Sequence, residues 1–330
     1  MPQALSNLAV GSKVKFGKYQ VNTEDAQPIV WTIVAKNHQC TPAYPENAIT
    51  LHAAEILDLR CFDAKEPDDP LSNIRNYGNN RYSQSNIDQW LNKDSIANEW
   101  YVAAHETDHS PDTSDGTGGY GTQYATCPGF LHAFSNDEKA AILPTTIRVV
   151  VGKLYNGATY EDIIRMVFLP SLMEVGCRTQ SGIADGYAWD YYTSDSDRIA
   201  TITQQCFDNT LADPKNASVG DGWYWWLRTP NGNDTYNSID ITPSGSWTRS
   251  APCSGAYGVR PALNLSSSLL VSDTTDADGC YTFVWTSPTD YTFTLNGTQY
   301  TNVARINYVS GNTTRGIKKL VVNGSTVWQA

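Results

Sequence analysis

Four consecutive aromatic residues, Trp223, Tyr224, Trp225 and Trp226, run directly into Leu227-Arg228-Thr229-Pro230. About thirty residues later the chain reads Gly258-Val259-Arg260-Pro261-Ala262. Aromatic and aliphatic runs bounded by Gly and Pro are a strand signature. Between them lie Asn, Ser, Thr, Gly, Asp and Pro with isolated apolar residues, the composition of loops and short hairpins. The ends are therefore expected to be buried strands presenting a polar loop surface.

Trp225 and Trp226 are read as core, because Trp is the largest apolar payload available to a β-rich interior. Arg228 and Arg260 sit at the ends of apolar runs. A buried guanidinium has to be paired and hydrogen-bonded, so both are read as structural clasps. The ligand-binding candidates are the polar and aromatic residues between them: Asn231, Asn233, Asp234, Tyr236, Asn237, Trp247 and Tyr257.

The rest of the chain predicts many strands and few helices. Strands are expected within 10–20, over 29–35 and 47–51, over 146–151 and at 166–169. Ser85-Asn86-Ile87-Asp88 and Ser135-Asn136-Asp137-Glu138 are capping boxes opening short helices, and Ser171 to Glu174 is a third cap-like signal. Residues 65–80 and 106–123 read as polar loops. The texture changes after Leu265. Ser266 to Gly279 reads as a domain edge, and Cys280 to Ala330 as short alternating strands. Asn323-Gly324 is a hairpin-turn signal. The expected fold class is α+β: a mixed domain over 1–268 with few short helices and irregular loops, then a small all-β extension over 269–330.

The net charge is −11, and the isoelectric point about 4.8. That disfavours a nucleic-acid backbone or an anionic membrane as partner. No apolar run is long enough to cross a membrane, and the N-terminus does not read as a signal peptide. Seven scattered cysteines without a Cys-x-x-Cys pair point to thiols made in a reducing compartment.

His105-Glu106-Thr107-Asp108-His109 matches the zinc pattern H-E-x-x-H. That chemistry needs both imidazoles on one helical turn. Ser110-Pro111 and a Gly-rich loop follow at once, so the match is read as chance, and no catalytic or metal residues are assigned. Metal-dependent hydrolysis through His105 and His109, or a carboxylate-pair glycosidase, is the enzymatic alternative. No cofactor is expected. Calcium stays open at three acidic stretches, Glu66 to Asp69, Asp112 to Asp115 and Asp273 to Asp278.

Seven stretches carry a resemblance: Gly11 to Gly17 (GSKVKFG), Pro28 to Trp31, Ser85 to Asn92 (SNIDQWLN), Phe134 to Ile142 (FSNDEKAAI), Val167 to Val175 (VFLPSLMEV), Tyr224 to Pro230 (YWWLRTP) and Gly258 to Leu263 (GVRPAL). In this order they resemble an uncharacterised domain family of Gram-positive bacteria and their phages. The Trp-rich strand, polar loops and G-x-R closing strand are also similar to the C-type-lectin fold of phage tropism determinants and formylglycine-generating enzymes. Those enzymes use a Cys pair near the closing strand, where this chain has Cys253 alone. The resemblance implies a non-enzymatic virion protein of tail or fibre type, made in the host cytoplasm and released by lysis. It implies binding to a host cell-surface glycan or protein, contact with other virion proteins, and a homo-oligomer such as a trimer that gains avidity. A structural virion component without ligand is the alternative.

Overall fold

The apolar run at 29–35 forms the middle of a ten-residue strand, Gln27–Lys36. The computed structural model describes residues 1–19, 26–112, 127–151, 160–178, 184–209 and 218–285, and short strands beyond 285. Ile29, Trp31, Ile33, Val34 and Ala35 are fully buried. A strand apolar on both sides needs both faces covered, and this one lies inside a sheet. In chain order the strands are β1 (Gln3–Ala4), β2 (Lys13–Tyr19), β3 (Gln27–Lys36), β4 (Ala48–Ala53), β5 (Asp58–Arg60), β6 (Thr145–Val150), β7 (Tyr160–Arg165), β8 (Val167–Phe168), β9 (Trp225–Pro230), β10 (Ser238–Ile241), β11 (Trp247–Ser250), β12 (Tyr257–Val259), β13 (Ala262–Ser266), β14 (Leu270–Val271) and β15 (Tyr281–Thr282). Four short helices accompany them: α1 (Ser72–Tyr77), α2 (Asn86–Leu91), α3 (Asn136–Ala141) and α4 (Gln204–Asn209). The fold is mostly β with a minor helical part, a mixed α+β arrangement.

Two sheets organise it. One has the order β15-β2-β3-β4-β13-β8, the other β11-β10-β9-β12-β5, and β6 pairs with β7 as a separate ribbon. Two of the chain's crossings between the sheets lie at neighbouring places, from β4 to β5 and from β12 to β13. Arg260 stitches the crossings together. Its Nε donates to Ala53 O at 3.1 Å, its Nη2 to Ala54 O at 3.0 Å, and its guanidinium lies 4.6 Å from the Trp225 ring centre. The Arg260 carbonyl can only accept, so His52 Nε2, 3.0 Å away, carries the proton, and Nδ1 accepts from Tyr192 Oη at 2.6 Å. Burial first, and the Arg260 cation second, hold the His52 pKa well below the usual imidazole range.

The caps act as the residue types require. Ser85 accepts from Asp88 N at the start of α2, and Ser135 and Glu138 form a complete capping box on α3. Ser171 and Glu174 exchange the same two bonds, Glu174 N to Ser171 Oγ and Ser171 N to Glu174 Oε2, around a turn that does not continue as a helix. Within 65–80 the structure has a helix, α1, where a polar loop was expected; it buries one side chain, Ile74. None of the seven cysteines is in a disulfide.

The expected division after 268 is displaced. The compact units are Met1–Phe283 and Val284–Ala330. Residues 269–283 belong to the first because β14 pairs with β1 and β15 runs parallel to β2. In the second unit the described strands are β16 (Phe293–Leu295) with β17 (Thr298–Tyr300) and β18 (Lys319–Val322) with β19 (Ser325–Gln329), both antiparallel. The Asn323-Gly324 turn lies outside the described residues.

Gly245 shows how tightly the turn from β10 to β11 is seated. Its φ is +79°, and a Cβ there would stand 1.8 Å from the Asp195 carbonyl oxygen. Its own carbonyl accepts from Arg198 Nε at 2.7 Å. Gly245→Ala combines left-handed strain with a backbone clash, and is expected to cost about 2–3 kcal/mol. Urea denaturation reads this directly; an unchanged midpoint would mean the turn is looser than described.

Candidate functional site

The loop from β9 to β10 is closed by its own polar residues. Asp234 Oδ1 accepts from Tyr236 N at 3.1 Å and Asn237 N at 2.9 Å. Its Oδ2 accepts from Asn237 Nδ2 at 2.7 Å and from Asn231 Nδ2. Asn80 braces the loop from outside, donating to Asp234 O at 3.0 Å and Asn237 O at 2.9 Å. Asn231 is fully buried. It therefore faces the loop interior and has no surface to offer a ligand. Asp234 and Asn237 shape the loop; Asn233, exposed, and Tyr236, half-buried, stand on it. Tyr236 meets Tyr77 from α1, with ring centres 5.4 Å apart and planes 31° apart. Tyr77 is 42% exposed, and sequence reasoning missed it because α1 was unforeseen.

Cross-strand register separates the two remaining candidates. Residues directly opposite in an antiparallel pair share a face. Trp247 lies opposite Ile241, whereas Ser250 lies opposite Ser238 and Thr248 opposite Asp240. Ser250 Oγ donates to Tyr257 Oη at 2.9 Å, and Tyr257 stacks on Trp226 with ring centres 4.6 Å apart. Tyr257 thus belongs to the Asp240 face and Trp247 to the other. The seven candidates do not form one site. They divide among the loop end (Asn233, Tyr236), one sheet face (Tyr257) and the opposite face (Trp247).

Both Trp225 and Trp226 are fully buried. Arg228 spends all five N–H groups. Nε donates to Arg148 O at 3.0 Å, Nη1 to Leu169 O at 2.9 Å and Glu174 Oε2 at 2.5 Å, and Nη2 to Glu174 Oε1 at 2.8 Å and Asp185 O at 2.7 Å. Nothing is left for a substrate.

The H-E-x-x-H segment is a turn rather than a helix, so its imidazoles are not stacked one helical turn apart. His105 Nε2 lies 2.8 Å from Glu66 Oε2, which also accepts from Thr107 Oγ1 at 2.8 Å. This bond to Glu66 is the main cause that raises the His105 pKa. Asp63, behind Glu66, is pushed well above the carboxylate range by burial and then by Glu66 and Asp108, although Asn79 N and Asn86 N donate to it. Among the described residues no group of three or more His, Cys, Asp or Glu is arranged to hold a metal ion. Of the acidic stretch Asp112 to Asp115, residues 113–115 lie outside the described residues.

A cleft lies elsewhere. It encloses about 370 Å³ between α2 and the β7–β8 connection, and Ser83, Asp88, Lys93, Ile164, Arg165 and Met166 are among its lining residues. Asp88 is held by Arg165, whose Nε reaches both oxygens at 2.8 Å and whose Nη2 reaches Oδ2 at 2.6 Å. The period-two alternation of β7, with Tyr160, Asp162 and Ile164 exposed and Glu161, Ile163 and Arg165 half-buried, is the signal that could have placed Arg165.

A family described as a domain of unknown function (DUF6273) matches residues 56–267. No curated protein and no solved structure matches the chain. The matched stretch runs from the residues just before β5 into the turn after β13, and so contains the whole five-stranded sheet, the Arg228 and Arg260 clasps, the Tyr77–Tyr236 pair and the cleft. Covering well over half of the 330 residues, it places the chain in the DUF6273 family.

Proposed function

We propose that this chain is a non-enzymatic binding protein with a C-type-lectin-like domain, of phage tail or fibre type, that recognises a cell-surface glycan or protein on a Gram-positive host. The observation that supports it best is the Tyr77–Tyr236 pair. Two rings lie side by side near the surface, on a loop that Asp234 and Asn80 make rigid, with exposed Asn233 beside them. Stacking on a sugar face needs a pre-formed aromatic platform and a few oriented polar groups. Arg228 spends every N–H group on protein acceptors, which supports a structural rather than catalytic role for it. A single platform of this size binds weakly, which is why a homo-oligomer such as a trimer, acting in the virion beside other virion proteins, belongs to the proposal.

The test is adsorption of the purified protein to Gram-positive cells, wild type against Tyr77→Ala/Tyr236→Ala. Two rings at about 0.5–1.5 kcal/mol each give a loss of roughly tenfold in apparent affinity. Both side chains reach solvent, so the variant is expected to melt like wild type. Saturable binding that weakens in the folded variant supports the platform. Equal binding by both moves the site elsewhere, and no binding by either favours a structural virion role.

A further inference from the structure

The α2–β7 cleft brings charged and apolar residues together. Three charged residues line it, Asp88, Lys93 and Arg165. Asp88, with a side chain 3% exposed, is neutralised by Arg165. Neighbouring carboxylates are engaged as well: Asp94 by Lys139 at 2.8 Å, and Glu161 by Arg81 at 2.7 Å. Lys93 makes no ion pair or side-chain hydrogen bond among the described residues, so the cleft carries one uncompensated positive charge in a chain of net −11. Arg165 spends Nε–H and one Nη2–H on Asp88 and one Nη1–H on Ile164 O. Two of its five N–H groups remain. The lining also includes apolar Met166, Ala104 and Ile164, the last 65% exposed.

We propose that this cleft is a second binding site, for a small carboxylate-bearing ligand of the size of one acidic monosaccharide. The carboxylate meets the Lys93 ammonium and the remaining Arg165 N–H groups, a charge-assisted pairing that a neutral sugar cannot make. The ring lies against Ile164 and Met166, and the Ser83 hydroxyl, which donates to Glu161, keeps acceptor capacity for a ligand hydroxyl. A volume of about 370 Å³ suits one sugar ring. The choice of a sugar among carboxylates rests on the glycan reading above; the preference for an anion does not.

The experiment is a titration of the full chain, followed by the methyl signals of Ile164, with methyl glucuronide against methyl glucoside. The uronide is expected to bind with a Kd of about 1 mM and the glucoside at least tenfold more weakly. Lys93→Gln, a half-buried surface change, is expected to melt like wild type and to lose the preference. Added salt should weaken the uronide and leave the glucoside alone. Tyr77→Ala/Tyr236→Ala should retain uronide binding, which separates this site from the aromatic platform. Equal binding of both sugars, an unaffected Lys93→Gln variant, or no shift at Ile164 with either probe would overturn the proposal. Binding of acetate as strong as that of the uronide would keep the anion site and remove the sugar.

Discussion

Arg228→Met is expected to destabilise the protein by about 3–5 kcal/mol, a large part of the stability of an ordinary domain. The Arg228 side chain is 1% exposed and that of Glu174 2%. Removing the guanidinium leaves that carboxylate buried, with Tyr44 Oη at 2.6 Å and Ser171 N at 2.9 Å as its remaining donors. It also strips the carbonyls of Arg148, Leu169 and Asp185 of a partner, and an unsatisfied buried acceptor costs about 1–3 kcal/mol. Arg228→Lys keeps the charge but has neither the planar fork nor five donors, so it is expected to recover less than half of the loss. Glu174→Leu alone strands a buried cation and should be as damaging as Arg228→Met. The double variant should be milder than the sum, because two apolar residues replace a pair instead of orphaning one member. Urea midpoints of the four proteins decide this. Strict additivity would mean that Arg228 and Glu174 are not coupled and that the clasp acts through the backbone carbonyls alone.

What a sequence shows and hides follows from the range of the forces involved. Arg228 was legible as a clasp candidate because the argument is local: a guanidinium inside an apolar run has to find partners, whatever they are. Those partners were not legible, since Glu174 and Asp185 lie far away in the chain and only the packed β9 brings them in. The capping boxes at Ser85 and Ser135 were legible for the same local reason. The Asp88 member of the first was misjudged: its side chain, which a capping box turns back to the helix start, leaves for Arg165, 77 residues on. The candidate ligand residues show a different limit. Asn231, Asp234 and Asn237 look like binding residues because the chemistry that closes a loop is the chemistry that grips a polar ligand. Trp247 and Tyr257 were grouped by closeness in sequence, while the β10–β11 register puts them on opposite faces. The cleft needs α2 and β7 side by side, a fact of tertiary structure that no window of residues contains.

Asp240→Asn is expected to stabilise the protein at pH 8 and to have little effect at pH 4. Asp240 is fully buried on β10, opposite Trp226 and Thr248, and neither of its oxygens accepts a hydrogen bond. The Ser250 hydroxyl, on the neighbouring strand, gives its proton to Tyr257. Burial pushes the Asp240 carboxyl up to about 7, with Ser250 pulling the other way. In the unfolded chain the group ionises near the ordinary value of about 4. As pH rises, the unfolded state therefore loses this proton first. Stability falls between about pH 4 and pH 7 and is level on this account above 7; below 4 both states hold the proton and the group contributes nothing. The full cost is about 4 kcal/mol at 1.36 kcal/mol per tenfold change. An amide carries no charge and leaves about as many hydrogen bonds unmet as the protonated acid does, so the variant matches wild type at pH 4 and the net gain at pH 8 approaches that same value of about 4 kcal/mol. The decisive quantity is the difference in urea midpoint between variant and wild type, measured at both pH values, because every other titrating group cancels in it. A difference that does not grow from pH 4 to pH 8 would show that Asp240 ionises as an ordinary carboxylate, with solvent reaching it between β10 and β11. A growing difference would identify the Tyr257 face as one whose stability changes with a single proton close to neutrality.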